Sequence, residues 1–153
     1  MDESINAIVT KLKDKDDKAA CEYARKLGAE SSVSDKYLSM IPEFAAMLDD
    51  KNSYVRTRGF GLICNQARWA KEGQIDAVFG QMIPLLNDPK PTVVRQCLGA
   101  LHEVVSFRPE METKIERAVA AIDTTKYKDS MSSLIKRDME ALKNTINQQE
   151  KGK

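Results

Sequence analysis

Residues able to make or break bonds are sparse in this chain, and their spacing argues as strongly as their identity. The soft-metal and nucleophile candidates are one histidine, His102, and three cysteines, Cys21, Cys64 and Cys97. A lone histidine excludes a multi-histidine metal centre. The cysteines lie 43 and 33 residues apart with no CxxC pair, which fits neither a zinc site nor a disulfide framework, so they are expected to be buried free thiols. Cys97 and His102 fall five residues apart on one predicted helix, and that spacing sends them to different faces. Gly59-Phe60-Gly61 begins like a dinucleotide-binding loop but lacks the third glycine and a preceding strand. No GxxxxGK[ST] phosphate loop, HExxH helix, GxSxG elbow or EF-hand loop occurs. The sequence therefore predicts no catalytic residue, no metal and no cofactor: a protein that is not an enzyme.

The elements that would position any other function are helices. Only 7 Gly and 5 Pro interrupt the chain, and apolar residues recur at three- and four-residue spacing almost throughout. Stops are expected at Gly28, Asp49 to Asn52, Gly73, Asn87 to Pro91, Arg108-Pro109 and Asp123 to Asp129. Between them fit eight helices, over 3–12, 17–28, 35–48, 53–72, 74–87, 91–107, 110–122 and 129–147. The sixth carries an apolar stripe, from Val93 and Val94 through Cys97, Leu98 and Leu101 to Val104 and Val105, wide enough to need neighbours on two sides. The eighth has one narrower stripe, as a terminal helix should, and 148–153 reads as a frayed polar tail.

Taken in pairs, these helices repeat. Leu12, Leu48, Leu86 and Ile122 each close a first helix, at intervals of 36, 38 and 36 residues, a period that signals stacked helical pairs. Pro42, Asp50, Val55 and Arg56, followed by Asp88, Val94 and Arg95, stand where HEAT repeats place a helix-A proline, a turn aspartate and a Val-Arg pair opening helix B. The chain thus resembles the HEAT-like (armadillo-type) repeat family, and small stand-alone bacterial members of it. That resemblance implies an all-α fold, a right-handed α-α superhelix or solenoid of about four helix pairs. It forms a single domain with units at about 3–31, 34–72, 74–107 and 110–147. It further implies that Asp50, Arg56, Asp88 and Arg95 brace adjacent repeats, arginine to turn aspartate, and that the B helices line a concave side.

Charge divides between the helices even though the total is only +1. The first helices of the four pairs, with their turns, sum to 1, 3, 2 and 2 negative charges, whereas Lys51 to Lys71 holds five cations and no acid. With B helices on the inside, as the resemblance implies, a basic concave face would present Arg58, Asn65, Arg68, Trp69, Arg95, His102 and Ser106. The expected function is a protein-binding scaffold that holds an acidic or extended segment of another protein. The alternative is nucleic-acid binding or a DNA-repair role, since some bacterial DNA glycosylases resemble this architecture and seat the duplex on a basic concave surface. The N-terminus Met-Asp-Glu-Ser lacks a signal-peptide pattern and no apolar run reaches membrane-spanning length, so the expected location is the cytoplasm and no membrane partner is expected.

Overall fold

The computed structural model describes residues 4–151. Eight α-helices occur among them and no strand: α1 Ile5–Leu12, α2 Asp17–Ser31, α3 Ile41–Ala46, α4 Ser53–Asn65, α5 Asp76–Met82, α6 Pro91–Phe107, α7 Glu112–Ala120 and α8 Asp129–Lys151. Their starts are written locally. Ser4, Asp16 and Asn52 each turn a side-chain oxygen back onto a first-turn amide, at Ala7, Ala19 and Tyr54. α6 needs no such cap at its first residue, because Pro91 has no N–H to satisfy and a backbone angle already suited to a helix.

The even-numbered helices form a ladder in which α2 packs on α4, α4 on α6 and α6 on α8. Three of the odd-numbered helices lean on this row, α1 on α2, α3 on α4 and α7 on α8, while α5 packs on α3 and the 3₁₀ segment after it packs on α6. The wide stripe of α6 accounts for its central place: Val93, Val94, Cys97, Leu98, Leu101, Val104 and Val105 are all buried, between two neighbouring helices. One continuous core runs through the molecule, and its largest fully buried side chains include Phe44, Phe60, Leu12, Leu27, Met47 and Met82. No helix among the described residues is long and apolar enough to cross a membrane.

Several boundaries differ from the pattern, for identifiable reasons. The fourth helix stops at Asn65 rather than 72, and 66–69 continue as turns in which Trp69 and Ala70 donate to the Gln66 carbonyl. Nothing local demands this stop; the side chains of Arg68 and Trp69 are drawn instead to carbonyls at the end of α2. The stretches 35–48 and 74–87 each divide into a 3₁₀ turn and a shorter α-helix, at Leu38–Met40 before Pro42 and at Ile83–Asn87 around Pro84. A proline lacks the amide that an α-helical turn would use, and the tighter turn tolerates the gap. Gly28 does not end α2, which continues to Ser31; its bare Cα instead admits Asn65, whose Oδ1 would lie 3.0 Å from any Cβ added there. The last helix runs to Lys151, past the expected fraying point at 148, and 152–153 lie outside the described residues.

Candidate binding face of α2, α4 and α6

The four residues expected as braces sit at the seams between helix pairs. Arg56 of α4 meets Asp88 side-on, Nε and Nη2 each 3.0 Å from a carboxylate oxygen, while its Nη1 donates to the Asp50 and Lys51 carbonyls at 2.9 and 3.2 Å. Asp50 therefore serves Arg56 through its backbone oxygen, and its carboxylate accepts from the Asn52 amide and lies 3.4 Å from Lys13. Asp88 is a junction, since Lys90 N–H donates to its carboxylate and the Tyr127 hydroxyl to its carbonyl at 2.6 Å. Tyr127, absent from the sequence-based site, thus ties the last pair to the turn before it. Arg95 does not bond the Asp88 carboxylate; its Nε donates to Asp138 of α8 at 2.7 Å, and that bond raises the guanidinium pKa.

The expected concave cations are largely engaged by the chain itself. Arg58 is no free surface arginine: its side chain is 8% exposed, donates to the Leu12 carbonyl at 3.0 Å and to the Asp17 carbonyl, and pairs with the Asp17 carboxylate. It closes the C-terminal end of α1, and burial lowers its pKa from the usual arginine value. Asn65 donates to Glu103 at 2.9 Å, His102 Nδ1 lies 2.9 Å from the Thr145 hydroxyl, and the Ser106 hydroxyl donates to the His102 carbonyl. Trp69 directs its indole N–H onto the Ser31 carbonyl at 2.6 Å, holding the turn after α4 against the end of α2.

A groove of about 510 Å³ nonetheless opens along this face, walled by α2, α4 and α6. Its lining includes the small residues Gly28, Gly61 and Ala100 and the polar side chains of Tyr54, Asn65 and Gln96. Tyr54 is 58% exposed, large for an aromatic ring, and a Cβ added at Gly61 would meet nothing within 4 Å. Three residues past the end of α4, Arg68 lays its guanidinium over the Phe107 ring, 4.6 Å from the centroid, and donates from Nη1 to the Ser32 carbonyl at 3.0 Å. A second groove, about 460 Å³, lies between α7 and α8 over Val119, Met139, Leu142 and Ile146, and contains none of the sequence-predicted residues.

Two of the three thiols are core atoms as expected, and Cys21 is not. Cys64 and Cys97 are buried and Cys21 is partly exposed at the groove wall; all three are free. Burial pushes the Cys64 and Cys97 thiols well above their ordinary range, the opposite of what a nucleophile or metal ligand needs. Among the described residues no group of three or more His, Cys, Asp or Glu side chains could hold a metal ion. The chain matches no family model, and neither a curated protein nor a solved structure matches it.

Proposed function

We propose that this chain is a HEAT-like solenoid of four helix pairs, a right-handed superhelix acting as a non-enzymatic scaffold that holds an extended segment of another protein along α2, α4 and α6. The observation that carries this reading is the groove itself, whose lining includes an unfilled gap at Gly61 and the exposed Tyr54 ring. Small residues let a backbone approach closely, and Asn65 and Gln96 supply groups that hydrogen-bond peptide units irrespective of sequence. The ladder of even helices, backed by α1, α3, the 3₁₀ segment after α5 and α7 in turn, supports the repeat reading. Three free thiols fit a reducing compartment such as the cytoplasm. The nucleic-acid alternative gains little from the groove, because its lining holds two arginines and one of them, Arg58, is paired with Asp17, leaving Arg25 as a single cation where a phosphate backbone would need several.

The test is photocrosslinking in the native host, with a benzoylphenylalanine at position 96 in the groove or at position 114 on α7. The expected result is a discrete protein adduct from position 96 that survives nuclease, is absent from position 114, and disappears when Gly61→Arg fills the gap. Adducts of equal yield from both positions, or an adduct destroyed by nuclease, would sink the proposal.

A further inference from the structure

Arg56 and Arg68 use the same part of the guanidinium in the same way, and only one of them has its carboxylate. In Arg56, Nη1 is held by backbone carbonyls and the Nε/Nη2 edge grips Asp88. In Arg68, Nη1 is held by the Ser32 carbonyl at 3.0 Å, the plane is fixed against Phe107, and the Nε/Nη2 edge has no hydrogen-bond partner among the described residues. That edge is the side that binds a carboxylate through two parallel hydrogen bonds. An arginine anchored at one nitrogen and stacked on an aromatic face has already lost most of the rotamer freedom that binding would remove. Two exposed apolar residues adjoin these anchor points: Val33, 80% exposed and next in sequence to Ser32, and Phe107, 38% exposed under the guanidinium.

Resting on the groove reading above, the geometry points to Arg68 as a binding site for the side-chain carboxylate of an extended peptide, with a flanking aliphatic residue of that peptide lying over Val33 and the rim of Phe107. Arg68 does not line the groove itself; it lies in the turns after α4, bonded to Ser32 at the end of α2 and set over Phe107 at the end of α6, so a peptide running along α2, α4 and α6 past Asn65 leaves the groove toward it. The partner class is therefore an acidic-aliphatic segment whose Asp or Glu takes the place that Asp88 takes at Arg56.

The experiment is selection from a random nonapeptide library displayed internally, with no free carboxyl terminus, on wild type, Arg68→Gln and Arg68→Lys proteins whose melting curves coincide. Wild type should enrich Asp or Glu at one fixed position beside Leu, Ile or Val. Arg68→Gln should lose that enrichment and bind the best blocked peptide roughly tenfold more weakly, and Arg68→Lys should recover only part of it, since lysine cannot form the paired bonds. Peptides recovered without acidic enrichment, or with enrichment unchanged in Arg68→Gln, would overturn the Arg68 assignment while leaving the groove in place. Recovery only from a library with free carboxyl termini would overturn it in favour of a chain-end carboxylate. Failure of all three proteins to retain any peptide would remove the groove reading and this inference together.

Discussion

The Arg56 guanidinium and the Asp88 carboxylate meet edge to edge across 32 residues of sequence, and Asp88 is only 5% exposed. Removing Arg56 would leave that carboxylate nearly buried without its counter-charge, so Arg56→Ala should destabilise the fold by about 3 kcal/mol. Asp88→Ala should cost a similar amount, and the double variant clearly less than the sum of the two. Urea unfolding of the four proteins gives the coupling directly. Strict additivity would mean that the two side chains do not act as one brace.

Gly59 and Gly61, two residues apart on α4, should respond oppositely to a methyl group. A Cβ at Gly59 would lie 2.7 Å from the Phe44 carbonyl oxygen and 2.9 Å from Met47 Cβ, so Gly59→Ala must push α3 away, at roughly 1–3 kcal/mol. At Gly61 the space is open and the helix gains from alanine, so Gly61→Ala should stabilise by about 0.5–1 kcal/mol. Thermal melts of both variants check the signs; a stable Gly59→Ala protein would contradict the close approach of α3 and α4.

Arg58 should behave as a structural residue. Arg58→Ala strips the Leu12 carbonyl of its donor and should lower stability by about 1–3 kcal/mol, with α1 the first segment to lose amide protection in hydrogen exchange. Charge reversal, Arg58→Glu, should be worse still, because it places a second carboxylate against Asp17. If Arg58→Glu melts with wild type, Arg58 is a free surface cation after all.

The buried thiols predict both a labelling pattern and a pH dependence. Thiol reagents should modify Cys21 readily in the native protein and reach Cys64 and Cys97 only on unfolding. Because burial raises both buried thiols above the ordinary value of 9.0, the folded chain keeps protons that the unfolded chain releases. Their contribution to stability is complete below that value and is lost as pH rises through the raised folded values. Tyr37 and Tyr127, raised mainly by burial from 10.0, act in the same direction. The melting temperature should therefore fall between about pH 8 and pH 10.5, less steeply in a Cys64→Ala/Cys97→Ala protein. Parallel slopes for the two proteins would exclude the thiols as the cause.

The helices were legible because their evidence is local: apolar spacing, and polar or proline-bearing breaks such as Asp49 to Asn52 and Asn87 to Pro91. The two-sided burial of α6 also followed from the width of its stripe. The expected inner face was less legible, since a cation's role depends on what stands opposite it. Nothing near Arg58 announces a carbonyl at Leu12, 46 residues away, and Arg95 had a turn aspartate in register but found Asp138 on the next even helix. Phe107 falls on the apolar stripe of α6 and Val33 on no pattern; neither announces a surface role, which arises only where Arg68 bonds the Ser32 carbonyl and covers the Phe107 ring.

Among the described residues, the side-chain bonds named above between helix pairs reach from 32 residues, Arg56 to Asp88, to 46, Arg58 to Leu12, so each of these links neighbouring pairs. Tension applied at the two ends would consequently be borne in series, seam after seam. Stretched in an optical trap, such a chain should lengthen in a staircase of small, separately reversible steps, so that a partner lying across several seams would stiffen it the way a splint stiffens a row of hinges.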